Sequence, residues 1–370
     1  MKRWALSVLV ASLLVLGICA SVVYAIDPLE IYRQATWYTP IIDYNTQVYS
    51  NAGIARSYDY DSAIVGTSMM ENAHPTLCDE LFGGKWIKLV SSSGTAYNHA
   101  ILLRTALREH ELRRVIYGLD MFSFMYNPGA VAQASFPYYL YDENPFNDVY
   151  YLLNWDVLVE RISEVYRYNR ELRGAPASEE DARDAMYAWQ LGKDAYNHRN
   201  ALAQIDFNAP VREMEPAQSR AQNVYANLRA NVLPFIQSMP ETEFIFYFPP
   251  YCVLEWYSMY QRGYLEFMFW IKQALTEALL SYENVQIYDY QACGEWVLNL
   301  DLYMDRQHHG PETNDAIMRR IAGGEGRVYG LEDIAQAETA LREWTDQIVQ
   351  YGPQAPILAP YTQSGEDDKA

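Results

Sequence analysis

Two short stretches carry residue types that can do acyl chemistry together. In AIVGTSMMENAHP, residues 63–75, an apolar run stops at Gly66 and Thr67 and then presents Ser68. A serine hydroxyl is a weak nucleophile until a base removes its proton and a third group orients that base. YMDRQHHGPETN, residues 303–314, offers such a pair: Asp305 and His308 are three apart, so a turn or helix start makes them neighbours. The carboxylate can accept from one ring nitrogen while the other faces a serine. Each stretch also has a plainer reading. Ser and Thr are common helix N-caps, so Ser68 alone reads first as a cap. The second stretch reads equally as a surface acid beside two solvated histidines.

Asp305, His308, His309 and Glu312 are also metal-ligand types. Adjacent histidines on a helix diverge, however, and no HExxH spacing is present, so no metal and no other cofactor is expected. In SSSGTAYN, residues 91–98, Gly94 could bring its N–H close to a reacting oxygen and Asn98 could add a side-chain donor. A turn whose Ser or Thr caps the next helix accounts for the same residues. Glu71, one turn beyond Ser68, either lines a pocket or is an exposed first-turn acid that favours the helix dipole. GGKWIK lacks the spacing of a phosphate-binding loop and AGGEGRVYG has no strand before it, so both read as turns.

These residues need elements to hold them. SAIVG (62–66), KWIKLVSSSG (85–94), RRVIYGLDMF (113–122), ETEFIFYFPP (241–250) and ENVQIYDY (283–290) are apolar runs; small residues or prolines end the first, second and fourth. They read as five strands, with helical spacing in 95–110 and an amphipathic segment over 251–282. Strands separated by helices pair in parallel through right-handed crossovers, which predicts an α/β three-layer sandwich around a central parallel sheet of about five strands. Ligands of such folds bind at the carboxyl ends of the strands, where the small-residue turns lie. Residues 124–215, rich in Tyr, Asn and charge, are too long for a connection and read as a mostly helical insertion beside that edge. The expected organisation is a leader over 1–25, a lead-in over 26–56, an α/β domain over 57–330, and over 331–370 one amphipathic helix with a polar, acidic, disordered end.

The leader places the domain. Lys2 and Arg3 precede an uncharged run from Trp4 to Ala25, close to the roughly 20 residues that cross a bilayer, so the basic end should stay cytoplasmic and the rest be exported. VYA at 23–25 also suits cleavage after Ala25, which would make the chain secreted rather than anchored. Ile18 discounts a lipoprotein box in LGIC. The net charge of -19, with no Lys/Arg cluster, argues against a nucleic-acid partner. Outside the leader, Cys78, Cys252 and Cys293 form no CxxC, and Cys252 with Cys293 is the pair to test for a disulfide in an exported protein. The 32 tyrosines could offer platforms for sugar rings, or pack with one end wet.

Taken together, Ser68 after strand one, the Gly94 turn after strand two, a polar residue after strand three and D-x-x-H after the last strand resemble the four blocks of the SGNH (GDSL-like) hydrolase superfamily. The resemblance spans residues 57–122 and 241–322. It is most similar to the membrane-anchored branch related to the D-alanyl-lipoteichoic-acid transfer protein and the alginate-type O-acetyltransferases. It implies a flavodoxin-like sheet, Ser68 as nucleophile, His308 as general base and acid, Asp305 as its orienter, and the N–H groups of Ser68 and Gly94 as an oxyanion hole. The family's third block supplies Asn, as in GxND, whereas GLD here places Asp120. An ionised carboxylate repels an oxyanion, so Asp120 must be protonated, turned away or otherwise employed, with Asn98 as a substitute donor. The opening block reads GTS rather than GDS. The activity implied is acyl transfer or ester hydrolysis on a cell-envelope or extracellular glycan, with a membrane-bound O-acyltransferase as partner. The other class is a non-catalytic envelope protein that binds glycan or a partner through the aromatic insertion; Asp120 in place of Asn favours it.

Overall fold

The structure, a computed structural model, describes residues 2–172, 179–189, 191–212 and 218–362. The acidic end expected beyond the last helix lies, over 363–370, outside the described residues, as do parts of the insertion. Two compact units are present: Met1–Asp59 with Ile101–His110 and Gln133–Tyr187, and Tyr60–Ala100 with Glu111–Ala132 and Ala188–Ala370. The boundary between them runs through the expected insertion.

The second unit holds a six-stranded sheet of order β2-β1-β3-β4-β5-β6. Its strands are β1 (Ser62–Gly66), β2 (Trp86–Val90), β3 (Arg114–Gly118), β4 (Glu243–Phe248), β5 (Val285–Asp289) and β6 (Arg327–Val328). The first five are parallel, with Val65 beside Leu89 and Tyr117, and Gly118 beside Tyr247. The order 2-1-3-4-5 is the flavodoxin-like one. Every residue of β1 and β2 is buried, which requires helices on both faces and explains why these strands read as apolar runs, broken in β2 only by the buried Lys88. β6 pairs antiparallel to β5 and adds a short sixth strand to the five expected parallel ones. Two residues carry no periodicity to read.

The chain turns sharply at the carboxyl ends of β1 and β3. Gly66 has φ +154, and a Cβ there would lie 2.6 Å from the Met70 side chain; one at Gly118 would lie 2.4 Å from Met70 Sδ. Met70 therefore wedges over two strand ends that only glycine leaves open, and the Tyr247 hydroxyl lies 2.9 Å from its sulfur. Cys252 and Cys293, the pair to test for a disulfide, are both free. Cys252 is buried ahead of the helix Val253–Gln261, whereas Cys293 lies in the turn after β5, where Arg320 donates to its sulfur at 3.2 Å.

The first unit begins with the helix Lys2–Ile26, whose segment Arg3–Ile26 is long and apolar enough to span a membrane or to serve as a signal sequence. The helix Gln47–Ser57, which closes the lead-in, is largely buried. A Cβ at Gly53 would come within 1.7 Å of the Glu30 carbonyl oxygen, so the helix can approach Glu30 only through a residue without a side chain.

Asp27 and Glu30 are both buried at positive φ, 52 and 55. Asp27 accepts from the N–H groups of Ile31, Tyr32 and Arg33 and from the Tyr151 hydroxyl. Glu30 accepts from Ala35 N–H and from the Tyr58 hydroxyl. Burial, with a smaller push from Asp27, raises the Glu30 carboxyl from 4.5 to about 7 against the pull of those two bonds. A folded pKa above the unfolded one gives stability that is fully present below the unfolded value and is lost as pH rises through the folded one. The loss is on the order of 3 kcal/mol. Thermal melts are expected to show wild-type stability falling between about pH 4.5 and pH 8, and a shallower fall in Glu30→Gln.

Candidate active site

The turn after β1 resolves which residue caps. Thr67 is extended, and its Oγ1 accepts from Met69 N–H at 3.4 Å. Ser68–Met70 is a single 3₁₀ turn, so Thr67 is the cap and the Ser68 hydroxyl is free for another bond, which it makes 240 residues away. Ser68 Oγ lies 2.9 Å from His308 Nε2, and His308 Nδ1 lies 2.6 Å from Asp305 Oδ2.

Asp305 and His308 share a tight loop closed by an antiparallel bridge between Tyr303 and His309, with Met304 N–H donating to the His308 carbonyl at 3.0 Å. Asp305 Oδ1 accepts from the N–H groups of Gln307 and His308, each at 2.7 Å. Burial alone would raise this carboxyl, but the His308 ring and those two N–H groups hold it below its ordinary value. An ionised carboxylate only accepts, so the proton of neutral His308 sits on Nδ1 and Nε2 is left to accept from Ser68.

Glu255, in the first turn of the helix after β4, pins this loop. Its buried carboxylate meets Arg306 at 3.2 Å, Gln307 Nε2 at 3.1 Å and Arg262 at 2.8 Å. Burial raises the Glu255 carboxyl, and the two arginines pull it back. Cys252 N–H also donates to the Arg306 carbonyl at 3.1 Å.

Asp120 is turned into a network. Its Oδ2 accepts from Thr67 Oγ1 at 3.1 Å, and its Oδ1 accepts from the Tyr251 hydroxyl at 3.0 Å and from Phe122 N–H at 3.1 Å. Desolvation raises its pKa, while Tyr251, Thr67, the Phe122 N–H and the nearby His308 lower it. The bond to Thr67 ties the turn after β1 to the turn after β3, across the point where the strand order reverses. Gly94 N–H donates to the Ser91 carbonyl at 2.8 Å, and the Gly94 carbonyl accepts from Ser123 Oγ at 2.6 Å. Asn98 is buried, its Oδ1 accepting from Thr95 N–H, Thr95 Oγ1 and Ala132 N–H.

Glu71 is not the exposed acid of the simpler reading: it is 0% exposed and accepts from Trp189 Nε1. It follows a 3₁₀ turn rather than opening a long helix, so there is no solvated first turn for it to occupy. His309 is buried, faces the Gly310 carbonyl, and is pushed by burial down to about 4; Glu312 reaches Lys193 at 4.0 Å. Among the described residues no group of three or more His, Cys, Asp or Glu is placed to hold a metal.

Glu255, Tyr251, Thr67 and Trp189 went unread in the sequence. An acid inside the apolar run YCVLEWYSMY was a usable signal for Glu255, whereas nothing local marks Trp189.

No protein-family model and no curated protein matches the chain. Among solved structures, a chain from Streptococcus pneumonia provisionally named a platelet activating factor is similar over 76% of this chain and 92% of its own, at 12% identity and a TM-score of 0.39. A likeness at that level carries no argument about the site.

Removing the Glu255 carboxylate would leave Arg306 and Arg262 without their buried partner. Glu255→Leu is expected to lose on the order of 3 kcal/mol of stability in urea unfolding. A loss below about 1 kcal/mol would show that the loop is held by other contacts.

Proposed function

We propose that this chain is an SGNH-type serine enzyme that transfers an acyl group to a cell-envelope or extracellular glycan, or releases it to water. The observation that carries this reading is the continuous hydrogen-bonded line Ser68 Oγ, His308 Nε2, His308 Nδ1, Asp305 Oδ2. In this reading Ser68 Oγ attacks the acyl carbonyl and His308 Nε2 takes the hydroxyl proton. Asp305 keeps the ring in the correct tautomer and stabilises the imidazolium. The tetrahedral oxyanion is received by the N–H groups of Ser68 and Gly94 and the side-chain amide of Asn98, once Gly94 gives up its bond to Ser91. Nε2 returns the proton to the departing oxygen as the carbonyl re-forms, leaving acyl-Ser68. His308 then deprotonates a sugar hydroxyl or water, which attacks the ester and regenerates Ser68.

The acceptor that reaches His308 decides between transfer and hydrolysis. One helix among the described residues is long and apolar enough to cross a membrane, so an acyl donor made in the cytoplasm would come through a membrane-bound O-acyltransferase. The alternative, a non-catalytic envelope protein that binds glycan or a partner through its aromatic insertion, is favoured by Asp120 standing where the family pattern has Asn. A fluorophosphonate probe separates the two. Intact protein is expected to label, Ser68→Ala and His308→Ala to stay unlabelled, and Asp305→Asn to label on the order of 10⁴-fold more slowly. An intact chain that does not label would remove the enzyme reading.

The tether is supported by the way the leader ends. Val23 is fully buried, and its carbonyl accepts from Asp27 N–H at 2.7 Å. Cleavage after Ala25 would cut the helix from the Asp27 network that ends it. Intact-mass analysis of protein from the membrane fraction is expected to find the leader attached; a soluble chain starting at Ile26 is the contrary result.

A further inference from the structure

Two hydrogen bonds in the plane of an imidazole leave one freedom open, because the ring can still tilt about the line joining its two nitrogens. His308 is bonded in this way to Ser68 and Asp305. A third contact lies off that line. The indole of Trp189 meets the His308 ring edge to face, with centroids 4.9 Å apart and planes at 72°. We propose that Trp189, clamped by Glu71, is a positioning residue that holds His308 at the tilt its exchange with Ser68 requires; this rests on the serine-enzyme reading above.

The clamp is built from the turn that carries the nucleophile. Glu71 N–H donates to the Ser68 carbonyl at 3.2 Å, and the Glu71 carbonyl accepts from Lys88 Nζ at 2.8 Å, with Lys88 itself 0% exposed. The Glu71 carboxylate accepts the indole N–H, and the neighbouring Asn72 accepts Trp189 N–H through Oδ1 at 2.9 Å. Trp189 is thus bonded at both its main chain and its ring to the two residues that follow the Ser68 turn. One short segment consequently fixes both the hydroxyl that His308 must reach and the surface on which the His308 ring rests. A buried acid one turn from a nucleophile is costly unless its oxygens are bonded, and one of those bonds is to the Trp189 indole. An indole held by hydrogen bonds at both its ring and its main chain has little freedom to follow the imidazole, so the contact acts as a stop.

The test uses the full chain in detergent with p-nitrophenyl acetate as probe substrate. Trp189→Leu is expected to lower kcat about 10- to 100-fold while KM stays within about twofold, because a mispositioned base slows the reaction without altering ester binding. Glu71→Ala is expected to do the same, and the double variant to be no slower than either single one, because both remove one unit. Glu71→Gln, whose amide oxygen still accepts the indole N–H, is expected to recover most of the rate. Trp189→Phe, which keeps a ring but loses the bond to Glu71, is expected to fall between.

Wild-type kcat in Trp189→Leu or Trp189→Phe, with Ser68→Ala inactive, would overturn the positioning role and leave the serine reading standing. A raised KM at unchanged kcat would overturn it too, making Trp189 a wall of the substrate site. Glu71→Gln as slow as Glu71→Ala would show that Glu71 acts other than through the indole. No turnover in the intact chain would remove the serine reading and this inference with it.

Discussion

The hydrogen bond between Ser68 and His308 joins residues 240 positions apart, and everything else at the site depends on closing that distance. A parallel sheet closes it by direction alone. With every strand from β1 to β5 running the same way, the segments after β1, β2, β3, β4 and β5, the last leading to the His308 loop, leave from one edge. Antiparallel pairing of the same segments would send alternate turns to the opposite edge. The burial of both sheet faces therefore does functional work, since full burial is what makes parallel pairing and helical crossovers the stable arrangement.

Sharing an edge is coarser than hydrogen-bond geometry, and the remaining distance is closed by buried polar ties between turns. Met70 seats the Ser68 turn over Gly66 and Gly118. Asp120 fastens Thr67 to the turn after β3, Ser91 N–H fastens the turn after β2 to the Gly66 carbonyl, and Glu255 fastens the His308 loop to the helix after β4. Carboxylates suit this task because each oxygen accepts more than one bond, so a single side chain can join several segments. Asp120 is read most simply in these terms. Its oxygens are taken by Thr67, Tyr251 and Phe122, so it works as a fastener of the nucleophile turn where an asparagine would offer a donor.

The first unit solves a different problem with the same device. The apolar helix ends at Ile26, and the backbone then turns through two positive-φ acids whose carboxylates gather the loose N–H groups and the hydroxyls of Tyr151 and Tyr58. Positive φ at a residue with a side chain is strained, and it persists where surrounding bonds over-determine it. The exit from the helix is accordingly a built corner rather than a slack linker.

The five long strands, the parallel α/β class and the candidates Ser68, Asp305 and His308 were legible in the sequence, because apolar runs, glycine stops and a D-x-x-H spacing are local patterns. β6 was not, since two residues have no period. The choice of Thr67 over Ser68 as cap, the burial of Glu71, the unpaired state of Cys252 and Cys293, and the recruitment of Glu255 and Trp189 were decided only in three dimensions. Each depends on which side chain from a distant segment arrives at a given point, and a local pattern holds no such information. Chain periodicity determines where strands end; the packing of their turns against one another determines which residues at those ends are left to do chemistry.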